Sequence, residues 1–135
     1  MAQAGMYVPC SSLKYSPYKH IFTRINGNDN IYRGMSSFTV EMTELKNILD
    51  RCNKNSLILG DELCSGTESI SALSIVASGI LEILSKNGNF IFATHLHELC
   101  DIEIIKEFIN NKLQVYHIHV DKDDNENIIF KKQLN

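Results

Sequence analysis

The sequence predicts an α/β fold: a mainly parallel sheet flanked by helices, with antiparallel strands at its periphery. Three observations predict it. Ser56-Leu57-Ile58-Leu59-Gly60 and Phe90-Ile91-Phe92-Ala93 are apolar runs with the length of buried strands. Between them Ile70, Leu73, Val76, Ala77, Ile80, Leu81 and Leu84 recur at helical spacing. Each strand ends abruptly in polar groups, Asp61-Glu62 after the first and Thr94-His95 after the second. Strands that deliver polar groups from their C-terminal ends are how open α/β sheets build ligand sites.

In chain order, residues 1–8 are small and apolar, and read as the last turns of a helix stopped by Pro9. Residues 11–25 read as two short strands around the turn Ser16-Pro17-Tyr18, and Asn26-Gly27-Asn28-Asp29-Asn30 closes the second with turn chemistry. After Gly34 the period changes. Ser36 or Ser37 can cap a helix over 37–53, whose stripe is Met42, Leu45, Leu49 and Cys52. Ser65-Gly66-Thr67-Glu68 reads as a capping box for the next helix, with Ser65 as the cap, and such a cap is worth about 1 kcal/mol. Asn87-Gly88 stops that helix. Strand 89–93, a short helix near 96–101 and a continuation over 103–110 follow. Residues 112–120 and 127–134 read as two strands joined by the acidic turn Asp121–Glu126.

Bulk properties exclude several classes. The chain has 135 residues, 44% hydrophobic and 21% charged, the balance of an ordinary soluble domain. A net charge of −3 provides no global positive field for a phosphate backbone, so direct nucleic-acid binding by this segment is disfavoured. No run is long enough to span a bilayer, and the N-terminus lacks the layout of a secretory signal. Cys10, Cys52, Cys64 and Cys100 are widely spaced, which argues against zinc and for reduced thiols in a soluble, intracellular chain. Cytoplasm, nucleus, organelle and virus-infected cell are all open.

Four apolar strand residues followed by Asp61-Glu62 have the Walker B layout of a phosphate-cleaving ATPase. Mg²⁺ wants one or two carboxylates, which Asp61 can supply, and Glu62 can polarise an attacking water. Capping acids at a strand end would look the same in isolation. His95, at the end of the neighbouring strand, can hydrogen-bond a terminal phosphate, and its placement beside the acid pair is what separates it from an ordinary surface histidine. Ser36 and Ser37 open a helix whose exposed N–H groups form an anion site. Other constellations fail. His95, His97 and Cys100 lack a fourth zinc ligand. His117 and His119 alternate onto one face of a strand, and Asp121-x-Asp123-x-Asn125 has Glu126 where a calcium loop needs Gly.

With those residues in hand, the chain resembles the C-terminal ATPase domain of the MutS family of DNA mismatch-repair proteins. The resemblance rests on Tyr7-Val8-Pro9, Ile21-Phe22-Thr23-Arg24, Ser36-Ser37-Phe38-Thr39-Val40-Glu41-Met42-Thr43-Glu44, Asn47-Ile48-Leu49, Asp61-Glu62, Gly66-Thr67 and Phe92-Ala93-Thr94-His95. The run Gly60–Glu68 is closest in style to the branch found in large DNA viruses and octocoral mitochondria. The resemblance implies a partial P-loop NTPase of the ABC-type head over residues 1–135. ATP and Mg²⁺ are the implied cofactors. Asp61 would be the Mg²⁺ residue, Glu62 the catalytic base and His95 a catalytic switch histidine. Ser36 and Ser37, in the signature block, with Gly66, Thr67 and Thr94, would line the nucleotide. The implied partners are a second MutS-type subunit, reached through the signature motif, and mismatched double-stranded DNA, reached through regions outside this chain; no membrane is implied.

Three departures qualify the match. The family commonly has an Arg where Ser65 stands and an aliphatic residue where Gly60 stands. No G-x-x-x-x-G-K-[ST] phosphate loop occurs in the sequence. In the family that loop lies upstream of Tyr-Val-Pro, and helices follow the last strand. The expectation is an ATPase domain missing its Walker A segment and its C-terminal helices, inactive as an isolated chain because nothing offsets the phosphate charge. Two other readings fit the residues: a fragment of another ABC-type ATPase, and a non-enzymatic remnant or interaction module that keeps the fold.

Overall fold

A short buried strand, β2 (Ser56–Asp61), lies between two parallel neighbours, β1 (His20–Arg24) and β3 (Asn89–Ala93). The computed structural model describes residues 1–25, 37–65, 67–122 and 128–134. They form two units, Met1–Asp101 and Ile102–Asn135. The expected turn at Asn26–Asn30, Ser36 as cap, Gly66 and most of the acidic turn Asp121–Glu126 lie outside the described residues.

In the first unit the register assigns the sheet two faces, because strand side chains alternate. Phe22, Ile58 and Phe90 form one row, and Arg24, Gly60 and Phe92 the next row on the same side. Two helices cover this side, α1 (Ser37–Arg51) and α2 (Ser69–Ser85). Ile48 and Cys52 of α1, Ile58 of β2 and Ile83 of α2 form the core, with Phe22, Leu49, Phe90 and Phe92 packed around them. Ile58 and Ile83 are 1% and 0% exposed. The opposite side carries Ile21, Leu57, Leu59 and Ile91. Ile91 is 66% and Ile21 47% exposed there. Parallel sheets normally bury both faces. Among the described residues this one covers the first face and leaves the second partly open, with Leu57 and Leu59 half-buried.

Local chemistry sets the element ends. The turn before β2 is tied reciprocally: Asn53 N–H donates to Ser56 Oγ (3.1 Å) and Ser56 N–H to the Asn53 carbonyl (2.9 Å), which satisfies the fully buried Ser56. Helix α2 does not start from Ser65, as the capping pattern suggested. Glu68 is its N-cap, accepting from the N–H groups of Ile70 and Ser71 at 3.1 Å each. Ser65 and Thr67 donate their N–H groups within the preceding turn, so the helix begins three residues later than expected. Its end matches expectation: Asn87 is left-handed (φ 52), with Asn87 N–H on the Leu84 carbonyl and Gly88 N–H on the Ile83 carbonyl. Ile70 belongs to the expected stripe but is 73% exposed, while Ile83 was missed and is the most buried.

The strand expected before Ser16 does not form. In the segment that follows, Gln3 holds both backbone groups of Tyr18, donating from Nε2 to its carbonyl (2.7 Å) and accepting from its N–H (2.9 Å). The start is a single 3-10 turn, Ala2–Ala4, closed by Gly5 at φ 76. A 3-10 helix, His97–Asp101, stands where a short helix was expected.

The second unit contains the short α3 (Glu103–Lys106) and an antiparallel pair, β4 (Ile118–Lys122) and β5 (Ile128–Leu134). An antiparallel pair of strands forms here as expected, except that residues 112–117 are not strand. No described helix is long and apolar enough to cross a membrane.

Gly60 has a steric cause. A Cβ there would lie 2.7 Å from Phe92 Cδ1 and 2.9 Å from its Cε1, so the Phe92 ring already fills the space a side chain would take. Gly60→Val should destabilise the chain by about 1–3 kcal/mol in urea unfolding, and adding Phe92→Leu should recover much of that loss. No recovery in the double variant would contradict this packing.

Candidate functional site

The three parallel strands end at one edge, and register decides which side chains meet there. Asp61 pairs with Ala93 on neighbouring strands, with Cα atoms roughly 4.8 Å apart. Glu62 therefore follows β2 where Thr94 and His95 follow β3. Glu62 N–H extends the ladder by one bond, to the Ala93 carbonyl (2.9 Å). Asp61, Glu62, Thr94 and His95 are all exposed. Thr94 Oγ1 accepts from Leu96 N–H (3.0 Å), and His95 lends its carbonyl to His97 N–H (3.0 Å), so the turn carrying both is locally braced.

The turn after β2 holds two of the three left-handed non-glycine residues described in the first unit. Glu62 and Cys64 are left-handed, with φ 47 and 62, and neither is a residue that adopts this conformation cheaply. Such positions cost about 1–3 kcal/mol each and persist only where surroundings enforce them. Ser65 N–H donates to the Glu62 carbonyl (3.2 Å) and Thr67 N–H to the Cys64 carbonyl (3.0 Å). The decisive bond is longer in range. Cys64 N–H donates to Glu41 Oε1 at 2.8 Å, with both residues buried. Without that acceptor the buried amide would stand unpaired, at about 1–3 kcal/mol.

Glu41 sits in the first turns of α1, so it brings the start of that helix, where Ser37 lies, toward the Glu62 turn. Arg24, at the end of β1, supplies the countercharge. Its Nη2 is 3.7 Å from Glu41 Oε1, with the side chains 15% and 9% exposed. Its Nε is 3.2 Å from Glu44 Oε2, in ion-pair range but without the alignment of a hydrogen bond. Glu44 is half in solvent and contributes little; the desolvated Arg24–Glu41 pair carries the local charge balance.

Of the residues singled out from sequence, Asp61, Glu62, Thr94 and His95 come together at the strand ends. Ser37 opens α1, and Thr67 closes the turn with an Oγ1 that is buried and has no hydrogen-bond partner among the described residues. Ser36 and Gly66 lie outside the described residues. Glu41 and Arg24 were not recognised as site residues. A signal for Glu41 existed: it shares a helical stripe with Leu45, Ile48 and Cys52, all buried, so an acid occupied a core position. No cluster of three or more His, Cys, Asp or Glu side chains suited to a metal ion occurs among the described residues. Mg²⁺ asks less of a protein, since one or two carboxylates plus phosphate and water complete its shell, and the exposed Asp61 suits that demand.

The chain matches the family described as MutS domain V over residues 1–135. It is 46% identical to the mutS homologue of Acanthamoeba polyphaga mimivirus over 138 residues, covering 99% of this chain and 12% of that protein. Identity to the mitochondrial DNA mismatch repair protein mutS homologue of Sarcophyton glaucum is 42%, covering 99% of this chain and 13% of that protein. DNA mismatch repair protein MutS of Finegoldia magna is 38% identical, over 98% of this chain and 15% of its own length. The chain thus spans a small part of each relative.

The buried turn has a titratable reporter. Burial first, and then the Glu41 carboxylate, push the Cys64 thiol up from 9.0 to about 11, against a smaller opposing pull from Arg24. The folded state therefore favours the neutral thiol: its stabilisation is full below pH 9 and drains away as pH rises toward 11. Cys52 is raised as well, by burial. Unfolding midpoints measured from pH 8 to 11 should fall less steeply in Cys64→Ala than in the parent chain. Parallel slopes would contradict the buried turn.

Proposed function

Because the chain belongs to the MutS family, as its domain V, we propose that it is the Walker B and signature portion of the ATP-hydrolysing domain of a mismatch-repair protein. The observation that carries this reading is the left-handed, internally braced turn that displays Glu62 between Asp61 and the end of β3. Backbone strain of this kind is characteristic of sites where geometry matters more than stability.

In this reading the domain is a P-loop NTPase whose phosphate loop lies elsewhere in the full-length protein. Asp61 would hold Mg²⁺, which neutralises phosphate charge and orients the terminal phosphate. Glu62 accepts the proton of the attacking water, from a backbone that Ala93 and Ser65 hold in place. His95 donates a hydrogen bond to the phosphate oxygen from the adjacent strand end. Thr67, whose Oγ1 has no partner among the described residues, and Gly66, Ser36, Ser37 and Thr94 line the nucleotide or the neighbouring subunit. The partners are a second MutS-type subunit and mismatched double-stranded DNA, the latter met by regions outside residues 1–135.

The uncovered sheet face fits the same reading. Ile21, Leu57, Leu59 and Ile91, flanked by Thr23 and Asn89, give a mainly apolar face of a parallel sheet, which such sheets keep dry. We assign its cover to the segment that carries the phosphate loop. Ile91→Ala should change the stability of residues 1–135 alone by less than about 0.5 kcal/mol. In the full-length protein it should cost about 2–5 kcal/mol, as a buried truncation does. An equal, negligible effect in both would remove the proposed cover.

The hydrolytic reading is tested by steady-state ATP hydrolysis with the full-length protein. Glu62→Gln should lower kcat by about 10²–10⁴-fold while ATP binding persists. Residues 1–135 alone should neither bind ATP-Mg²⁺ tightly in calorimetry nor hydrolyse it. Full hydrolysis by Glu62→Gln would overturn the assignment of the base.

A further inference from the structure

We infer that Glu41 is a positioning residue: its buried carboxylate fixes the backbone that displays Glu62 and ties that backbone to the start of α1. The inference deepens the proposed function and rests on it for the role of Glu62.

The geometry leaves the turn few alternatives. Cys64 is left-handed, and its N–H points inward to Glu41 Oε1 at 2.8 Å, in a place with almost no access to water. Any rotation of Glu62 must move the Glu62 carbonyl, which accepts from Ser65 N–H, and the Glu62 N–H, bound to Ala93. Both lie within two residues of the tethered amide. An acceptor with charge makes a shorter and stronger bond than a neutral one, and Arg24 at 3.7 Å keeps that charge balanced. Three elements therefore converge on one carboxylate: the end of β1 through Arg24, the first turns of α1 through Glu41, and the turn after β2 through Cys64. A fold selected for stability alone would not bury an acid here, since an apolar side chain would continue the stripe of Leu45, Ile48 and Cys52. What the acid adds is direction. A shift of the α1 start, where Ser37 lies, moves the acceptor and with it the turn that carries Glu62.

The test uses the full-length protein that contains this chain, with Glu41→Ala, Glu41→Asp, Glu41→Gln and Glu62→Gln. Glu41→Ala removes the acceptor, Glu41→Asp keeps the charge but withdraws it by one methylene, and Glu41→Gln keeps an acceptor oxygen at full reach. Glu41→Ala and Glu41→Asp should each lower kcat by about 10- to 100-fold with the KM for ATP nearly unchanged, the pattern of a displaced catalytic group. Glu41→Gln should restore most of kcat. Alkylation of Cys64 by iodoacetamide, followed by mass spectrometry, should accelerate in the first two variants and stay slow in Glu41→Gln. If Glu41→Ala does not fold, as read by circular dichroism, Glu41→Asp and Glu41→Gln decide alone. A kcat in Glu41→Asp equal to wild type while Glu62→Gln is inactive overturns the inference. Equal loss in Glu41→Asp and Glu41→Gln also overturns it. If the parent and Glu62→Gln show the same rate, the ATPase reading fails instead. Alkylation then judges the tether, and unchanged protection of Cys64 in Glu41→Asp sinks it.

Discussion

Parallel pairing of β1, β2 and β3 is the constraint from which the rest of the molecule follows. Parallel strands point the same way, so their ends gather at one edge, and connections must cross over through helices. Here α1 and α2 make those crossings and seal the row of Phe22, Ile58 and Phe90 against Ile48, Cys52 and Ile83. Burying that row fixes the register. The register in turn sets Asp61 beside Ala93, and places Glu62 and His95 at neighbouring strand ends. A slip of one residue would swap the covered and uncovered faces and send Arg24 away from α1.

The same register explains why the turn after β2 can hold a costly shape. Arg24 shares the covered face with Gly60 and Phe92, so its guanidinium lies under α1, where Glu41 meets it. Glu41 then reaches the Cys64 amide, and the left-handed backbone on either side of Leu63 is held by one buried charge instead of by glycine. Gly60, where an aliphatic residue is common in the family, is accounted for locally. Phe92 fills the space above it, so the two positions trade volume across the strand pair.

Much of this was legible in the sequence. The strand ends were clear because apolar runs stop abruptly at Asp61-Glu62 and Thr94-His95, and the stop of α2 was clear because Asn87-Gly88 has one common use after a helix. The α2 start was misplaced because Ser-Gly-Thr-Glu satisfies a local capping rule. Ser65 and Thr67 spend their N–H groups on the turn before Glu68 caps the helix. The strand expected before Ser16 has no neighbouring strand to pair with among the described residues, and a strand without a ladder leaves its backbone groups to water. Glu41 lies inside a motif whose sequence assigns it no role. An acid on a helix reads as solvent-facing until its stripe is compared with the core, and its partner amide lies 23 residues further on. Exposure of Ile91 was not readable at all, since it depends on what packs on the far side of the sheet.

The function proposed here stands on the ends of β2 and β3 holding the metal-binding and catalytic half of a nucleotide site. Iron-directed cleavage tests it most directly. With Fe²⁺ in place of Mg²⁺, the full-length protein is treated with ascorbate and peroxide in the presence and absence of ATP, and the cut positions are read by mass spectrometry. The account predicts ATP-dependent cuts around Asp61-Glu62 and Thr94-His95 that disappear in Asp61→Ala. ATP-dependent cuts that avoid both strand ends, or cuts at these positions that Asp61→Ala leaves unchanged, would contradict it.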